Sequence, residues 1–336
     1  MTDTRADEKP PLLAACAITK GFPGVWEHLI LDHIDFDVRA GEVHTLLGEN
    51  GAGKTVIANI LSGYYAKTGG EVRVNGEVVN LTSPRDGLAH GIAMVHQELM
   101  LVPAFTVAQN VMVGLDAPAF SFEIQAVQDK LAALSARYGL QVDPEARVET
   151  LSAGEQQRVE ILKVLYHEPK VLLLDEPTSL LTPGEADHLF IVLRAMADDG
   201  KGVVFITHKM REVFAVSDRV TILKLGKTQG TQRISETTVE TLTRKTFGEL
   251  VPEYMPRPPT HSAENAVVLD NVVPAGGAVQ SPAVPINLAI RKGEIFGIAG
   301  VAGNGQTDLI ACLTGLKAIE RGTIHILGKD MTDQPP

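Results

Sequence analysis

Short apolar segments bounded by polar residues dominate the first part of the chain. Three of them, at residues 30–38, 42–47 and 71–74, predict β-strands, because each concentrates apolar side chains within a run of strand length. The third is followed by Asn75-Gly76, which is a strong signal for a two-residue hairpin turn. The region before residue 80 therefore predicts several β-strands joined by tight connections.

The pattern changes to helical spacing between about residues 105 and 165. Within residues 126–138, the apolar side chains that recur at helical intervals are Val127, Leu131, Leu134 and Tyr138. Residues 170–245 then alternate predicted strands (VLLLDE, GVVFITH and RVTILKLG) with a predicted helix over 183–198. This order predicts an α/β fold with a parallel sheet and an inserted helical subdomain.

One segment of the chain occurs twice. Residues 41–55, GEVHTLLGENGAGKT, recur without gaps at 293–307 as GEIFGIAGVAGNGQT, with Gln306 in place of Lys54. The same offset also pairs Gly63 with Gly315, Gly70 with Gly322, Gly76 with Gly328 and Pro84 with Pro336. The second copy is therefore predicted to be the beginning of a repeated unit that lacks the lysine of the first.

The composition narrows the class of protein. A chain of 336 residues with 44% hydrophobic content predicts two domains with a large core, and a net charge of −11 argues against nucleic acid as the main ligand. The longest uncharged stretch, residues 271–290, contains three prolines and several polar residues, so no transmembrane segment is expected. Cys16 and Cys312 form no disulfide framework and are expected to be buried thiols.

Changes in composition suggest where the domains begin and end. Residues 1–11 are polar, predict a disordered leader and lack the apolar core of a signal peptide. Residues 246–265 include the Pro-rich sequence VPEYMPRPPTHS and predict a linker. We therefore expect one domain over 12–245 and the N-terminal part of a second over 266–336.

The strongest chemical motif lies between a predicted strand and a predicted helix. It matches G-x-x-x-x-G-K-[ST] and consists of Gly48, Glu49, Asn50, Gly51, Ala52, Gly53, Lys54 and Thr55. Its glycines allow backbone N–H groups to surround a phosphate at the positive end of the helix, where lysine adds charge and threonine a ligand for Mg²⁺. The alternative is a chance Gly-rich turn, which the strand–loop–helix context argues against.

Two carboxylates end the apolar strand VLLLDE. Asp175 is placed to hold Mg²⁺ through water, and Glu176 is placed to polarise the water that attacks a phosphate. The alternative is an ordinary strand end with a helix-capping aspartate. The phosphate loop 120 residues upstream favours the catalytic interpretation.

The sequence LSAGEQQR predicts a helix that begins with small residues. Ser152 and Gly154 can present a hydroxyl, an N–H and the helix dipole to a phosphate. Ser152 and Glu155 also have the spacing of a capping box, which is a purely structural role. The two interpretations are compatible, because an anion site requires a well-formed helix end.

Taken in order, the phosphate loop, LSAGEQQR, LLLDEPTS and the later ITH resemble the ATP-binding subunit of an ABC transporter. The resemblance covers 12–245 fully and 266–336 as an incomplete, degenerate second cassette. It implies a P-loop NTPase cassette with a mostly parallel core sheet, an antiparallel β subdomain and a helical subdomain over about 98–165. It also implies that ATP and Mg²⁺ are the cofactors.

Further site residues are implied by the same resemblance. Gln97 would contact Mg²⁺ and sense the permease, and His208 would contact the γ-phosphate. Phe22 would stack on adenine, while Val56 stands where a second hydroxyl often contacts the α-phosphate. Taken singly, Gln97 is better explained as a solvated loop residue and His208 as a helix cap, and the order of the motifs reverses that preference. For Phe22, a core residue is the alternative.

Departures from the family pattern indicate a branch. Ala153 and Glu155 in the signature sequence and Thr182 in place of an aspartate are similar to simple-sugar and nucleoside importers, in which two cassettes share one chain. That branch implies an integral-membrane permease, a periplasmic or extracellular solute-binding protein and a second cassette as partners, with no nucleic acid. It also implies a peripheral position on the cytoplasmic side of the inner membrane.

Alternatives to an importer subunit stay open at this point. A soluble tandem-cassette ATPase acting on ribosomes or DNA would require basic patches, whereas this chain is acidic. A truncated ATP-binding remnant without turnover is a further alternative, because in the family each ATP lies between one phosphate loop and the signature of the other cassette. The end at Pro336 is explained by a longer natural protein, by a frameshift or by pairing of two copies, and a chain that stops inside a recognisable fold favours the first two.

Overall fold

The computed structural model describes residues 10–22, 29–115, 124–248, 262–276, 284–300, 304–332 and 334. The chain forms two compact units, Met1–Val251 and Pro252–Pro336. Strands of the first unit are β1 (Leu13–Lys20), β2 (Leu31–Val38), β3 (Val43–Leu47), β4 (Gly69–Val74), β5 (Glu77–Val79), β6 (Ile92–Val95), β7 (Val171–Asp175), β8 (Gly202–Thr207), β9 (Arg219–Lys224) and β10 (Lys227–Arg233). Its helices are α1 (Lys54–Leu61), α2 (Pro84–Ala89), α3 (Val107–Met112), α4 (Ile124–Tyr138), α5 (Ala153–Leu165), α6 (Pro183–Asp198), α7 (Met210–Val216) and α8 (Val239–Phe247), with 3₁₀ turns at Val148–Thr150 and Ile234–Glu236.

A six-stranded sheet forms the centre of the first unit. Its order is β10-β9-β3-β8-β7-β6, and neighbours run parallel except for the antiparallel pair β9 and β10. Every residue of β7 and β8 is buried, as expected for parallel strands covered on both faces. The predicted α/β fold is confirmed, and the carboxyl ends of β3, β8 and β7 lie side by side at one edge of the sheet.

A second sheet in this unit is antiparallel and has the order β2-β1-β4-β5. The predicted turn at Asn75-Gly76 joins β4 to β5, and the φ angles of these two residues are 52° and 86°. Positive φ at both central positions is the geometry that favours Asn-Gly in a hairpin. The antiparallel subdomain that the resemblance implied is therefore present.

Helices α3, α4 and α5 form the helical part of the first unit. The predicted helix over 126–138 is confirmed by α4, whose residues Val127, Leu131 and Tyr138 are buried against the same core as α5. The predicted helix over 183–198 is confirmed by α6. None of the helices in the described part of the chain combines the length and apolar character needed to cross a membrane.

The second unit repeats the antiparallel sheet of the first. It contains β11 (Asn265–Pro274), β12 (Ile286–Arg291), α9 (Gln306–Leu313), β13 (Ile319–Ile326) and β14 (Lys329–Asp330), and its sheet order is β12-β11-β13-β14. This order corresponds to β2-β1-β4-β5, and α9 begins 306 − 54 = 252 positions after α1. The sequence repeat is therefore also a structural repeat.

One element of the repeat is not reproduced. Residues 295–299, which correspond to β3, form no strand, and Ile295 is 89% exposed. In the first unit β3 is held between β8 and β9. The described residues of the second unit contain no parallel strand that could pair in the same way, so this segment lacks the neighbours that fix β3.

Candidate functional site

The residues with predicted chemistry meet where three parallel strands end. The phosphate loop follows β3. Asp175 is the last residue of β7 and Glu176 comes directly after it, while His208 comes directly after β8. Because β3, β8 and β7 are consecutive neighbours in the sheet, their carboxyl ends bring these residues together. Ligands of open α/β sheets bind at this kind of edge.

The phosphate loop is fixed by two glycines. A Cβ on Gly48 would collide with the carbonyl oxygen of Leu223 in β9, so only glycine allows this close approach. Gly53, the residue before α1, has a φ of 103°, which other residues rarely adopt. No side chain caps α1, so its first N–H groups and its dipole are directed to a ligand at the loop.

Lys54 lies inside the loop and is 5% exposed. Its Nζ donates hydrogen bonds to the carbonyl oxygens of Gly48 and Glu49, both at 2.9 Å, and lies 3.9 Å from Oε1 of Glu176. Burial lowers the pKa of the ammonium, and the carboxylates of Glu176 and Asp175 oppose that shift. The result is a positive charge held beneath the loop, where a phosphate would lie.

Asp175 is the carboxylate that fits a metal ion. The residue is 1% exposed, and neither carboxylate oxygen has a hydrogen-bond partner among the described residues. Burial raises the pKa of this carboxyl, while the neighbouring Thr55 hydroxyl and the Lys54 ammonium partly offset the increase. Carboxylate, hydroxyl and amide oxygens are the ligands that Mg²⁺ prefers, so Asp175, Thr55 and Gln97 form a suitable donor set.

Glu176 and His208 form a pair at the same edge. Nδ1 of His208 lies 3.0 Å from Oε1 of Glu176, at hydrogen-bond distance. Glu176 has a φ of 45°, and its N–H donates to the carbonyl oxygen of Ile206 in β8. A carboxylate held in this way can orient water and accept its proton, with the imidazole as an adjacent charged or polar group.

A cleft of about 490 Å³ lies at this edge, and among the described residues His208 does not line it. Its lining consists of Ile30, Asn50, Gly51, Gly53, Lys54, Thr55, Val56, Gln97 and Glu176. Ile30 was not predicted, because its only signal is an apolar side chain just before β2. Gly48, Glu49 and Ala52 complete the loop, and Asp175 is buried beside it.

Phe22 is not among the described residues that line the cleft. Its ring packs edge-to-face on Tyr65, with centroids 5.6 Å apart, and the Lys20 ammonium lies 4.7 Å from its centroid. The structure therefore places Phe22 in an aromatic and cationic cluster of the antiparallel subdomain. Adenine stacking on Phe22 stays a prediction.

The signature residues lie at the beginning of α5, outside the cleft. Ser152 donates from its N–H and its hydroxyl to Oε2 of Glu155, both at 2.8 Å, and accepts from the N–H of Glu155. These bonds lower the pKa of Glu155. The predicted capping box is confirmed, and Glu155 borders a separate groove with Arg158 and Glu185. Gly154 lies against the Glu185 carboxylate.

Comparison with known proteins gives the family. The family described as ABC transporter matches residues 31–179 and 284–336. The glucose import ATP-binding protein of Haloferax volcanii is 38% identical over 98% of this chain and 64% of its own length. The nucleoside import ATP-binding protein of Lactococcus lactis is 39% identical over 91% of this chain and 60% of its own length, and the ribose import ATP-binding protein of Streptomyces avermitilis is 38% identical over 97% and 60%.

Solved structures with the same fold are also ATP-binding cassettes. One, an ATP-binding cassette of an ABC transporter in its ADP conformation, has a TM-score of 0.62 at 23% identity and covers 69% of this chain and 95% of its own. A nucleotide-free cassette has a TM-score of 0.60 at 23% identity, over 66% and 91%. The chain spans less than two thirds of the length of the first relatives, 64% and 60%. The solved structures share its fold, and by sequence the chain belongs to the ABC transporter family.

Proposed function

We propose that this chain is the ATP-binding and ATP-hydrolysing subunit of an ABC importer that powers uptake of a simple sugar or nucleoside. Relatives that share 38–39% of their residues with it are named as glucose, nucleoside and ribose import ATP-binding proteins, which supports this class of solute. The observation that carries the hydrolytic assignment is the Glu176–His208 pair, in which Glu176 lines the cleft beside Lys54.

Each residue of the cleft has a role in phosphoryl transfer to water. The loop N–H groups and Lys54 bind the β- and γ-phosphates, and Asn50, Val56 and Ile30 border the rest of the nucleotide. Thr55, Gln97 and Asp175 would hold Mg²⁺, which neutralises phosphate charge when bound. Such a site contributes to the reaction by positioning the reacting groups and stabilising charge, rather than by covalent chemistry.

Glu176 is assigned to the attacking water. Its carboxylate orients the water towards the γ-phosphate and accepts its proton as the new P–O bond forms, while the bond between the γ-phosphorus and the bridging oxygen breaks and ADP leaves. Because Nδ1 of His208 is engaged by Glu176, Nε2 is the ring atom that remains for the γ-phosphate. A hydrogen bond from an N–H at this ring atom would stabilise the charge that develops on the phosphate.

The partners follow from the proposed importer. We assign residues 12–245 to an ATP-binding cassette and 266–336 to the N-terminal part of a degenerate second cassette. A membrane permease, a solute-binding protein outside the membrane and a second cassette complete the assembly, and the chain lies on the cytoplasmic face of the inner membrane. Closure of the cassettes on ATP would drive the permease between its two states.

Glu176→Gln in the purified chain tests the hydrolytic assignment. The amide keeps the size of the side chain but cannot accept the proton, so we expect ATP turnover to fall by about 10²–10⁴-fold. Binding of ATP with Mg²⁺ should stay within about threefold of the wild-type affinity, because the phosphate loop is unchanged. Turnover that is the same in the variant, or a wild-type chain that binds ATP without hydrolysing it, would contradict the assignment.

Uptake in cells tests the class of solute. Import of labelled sugars and nucleosides is compared between cells with the wild-type gene and cells with the Glu176→Gln variant. We expect the variant to lose import of either the sugars or the nucleosides. Uptake of amino acids is the control and should not change. If the variant still imports both classes of solute, the importer assignment is contradicted. Hydrolysis of ATP by the purified chain is a separate result that this outcome does not affect.

A further inference from the structure

We propose that Glu212, which belongs to none of the predicted motifs, is a positioning residue that fixes the position of Glu176 relative to His208. The proposal rests on the proposed ATP hydrolysis, because it concerns the two side chains assigned to that reaction. Glu212 lies in the first turn of α7 and does not line the cleft. Any effect on the reaction must therefore pass through other residues.

The Glu212 carboxylate is buried and is shared between two loops. The residue is only 6% exposed. Its Oε1 accepts a hydrogen bond from the Thr178 hydroxyl, and its Oε2 accepts one from the Thr207 hydroxyl, both at 2.6 Å. These are short hydrogen bonds to a carboxylate, the kind that is stronger than a bond between neutral groups.

The two hydroxyls belong to the segments that carry the catalytic pair. Thr178 is two residues after Glu176, and Thr207 directly precedes His208. Thr178 and Thr207 are 3% and 1% exposed, so neither hydroxyl has water as an alternative partner. One carboxylate thus ties the loop after β7 to the end of β8, and the relative position of the two catalytic side chains depends on that connection.

Lys209 completes the cluster and explains why a carboxylate is needed. Its Nζ lies 3.1 Å from Oε1 of Glu212 and 3.2 Å from the Thr178 hydroxyl, and its backbone N–H donates to the Thr207 hydroxyl at 3.1 Å. Both threonine oxygens therefore accept from Lys209, which directs their protons to Glu212. An amide at position 212 would present N–H groups to one of these hydroxyl protons and lose that bond.

The unusual backbone conformation of Glu176 is a further reason why the connection through Glu212 matters. Its φ of 45° is a conformation that residues other than glycine rarely adopt and keep only where the surroundings fix it. The N–H of Glu176 is held by Ile206, and its carbonyl accepts from the N–H of Ser179. Glu212 anchors the same turn at Thr178, so the turn is held at both ends.

Glu212→Gln is the central variant, and Glu42→Gln is its matched control. Glu42 is also a buried carboxylate, but it binds Arg219 and the Arg39 N–H before β3, away from the strand ends that carry the site. We expect Glu212→Gln to lower kcat for ATP by about tenfold or more with KM unchanged within about twofold, because misplacement of a reacting group costs rate rather than binding. Glu42→Gln should leave both constants near the wild-type values even if its melting temperature falls.

Threonine variants separate positioning from stability. Thr178→Ser and Thr207→Ser keep the hydroxyl and should retain most of kcat, whereas Thr178→Val and Thr207→Val should lower it as Glu212→Gln does. Combining Glu212→Gln with Thr178→Val should add little further loss, because each change breaks the same connection between the two loops. Full additivity of the two losses, or an unchanged kcat in Glu212→Gln, would overturn the proposal.

A spectroscopic measurement keeps the test independent of turnover. The ¹⁵N chemical shift of His208 Nδ1, assigned with His208→Ala, reports whether that nitrogen is hydrogen-bonded. Glu212→Gln and Glu176→Gln should both move it, and Glu42→Gln should not. If Glu212→Gln moves the Nδ1 signal but the wild-type chain does not hydrolyse ATP, the positioning role is retained and the proposed function is rejected. If Glu212→Gln leaves the signal unmoved, the positioning role is rejected.

Discussion

Burial of charged and titratable side chains sets the chemistry of this protein at the scale of single residues. At the candidate site, burial shifts the pKa of the Lys54 ammonium and of the Asp175 carboxyl towards the neutral form of each group. A bound nucleotide with Mg²⁺ would supply the opposite charge that each group lacks. The site is therefore expected to gain stability on binding its ligand.

A third buried titratable residue, His44, makes stability depend on pH. It is fully buried, its Nε2 is 2.8 Å from the Thr221 hydroxyl, and burial with the adjacent Arg219 charge lowers its pKa to about 4. The unfolded chain binds a proton near pH 6.5, whereas the folded chain does not. The contribution is therefore present above pH 6.5 and is lost as the pH falls towards 4.

Chemical denaturation at several pH values tests this prediction. Between pH 7 and pH 4 the free energy of unfolding should fall by about 3 kcal/mol through His44. His44→Asn should be less stable at pH 7, because it loses packing against Phe36, but its profile should be flatter over this range. Wild-type and variant curves that stay parallel from pH 7 to pH 4 would contradict the assignment.

Capping boxes define the beginnings of several helices at the scale of elements. Helices α2, α3, α5 and α6 each begin after a serine or threonine that accepts from the third helical N–H, and the side chain there returns the bond. Thr182, which replaces the aspartate expected from the family pattern, is the cap of α6. The departure seen in the sequence thus has a structural role in this chain.

Thr182→Ala should destabilise the first unit by about 1 kcal/mol, because the N–H of Glu185 loses its acceptor. Thr182→Ser keeps the hydroxyl and should stay within about 0.5 kcal/mol of the wild type. Thermal unfolding of the three proteins measures the difference. Equal losses in the alanine and serine variants would show that the methyl group, and not the cap, stabilises this helix end.

Local sequence patterns predicted individual helices and turns well, but they could not predict contacts between distant segments of the chain. The helix α6 and the hairpin at Asn75-Gly76 follow from spacing and turn chemistry within a few residues. The contact of Phe22 with Tyr65 and the hydrogen bond that Glu212 accepts from Thr178 join segments more than 30 residues apart. Such contacts depend on how strands are ordered in the sheet, which no local pattern specifies.

At the scale of the whole molecule, one repeated sequence gives two different outcomes. The antiparallel sheet and the helix after the loop are reproduced in the second unit, down to the positive φ of Gly70 and Gly322. The lysine is replaced by Gln306, whose amide lies against Gly300, and the strand before the loop is not formed. We therefore assign the nucleotide site to the first unit, because the described residues of the second unit contain neither the lysine nor the strand before the loop.

The number of nucleotides bound per chain tests this assignment most directly. Equilibrium titration with a labelled, non-hydrolysable ATP analogue and Mg²⁺ should give one nucleotide per chain in the wild type and in Gln306→Ala. Lys54→Ala should lower the affinity by about tenfold or more, because the charge beneath the phosphates is lost. Two nucleotides per chain, or one whose affinity is the same in Lys54→Ala, would contradict the account.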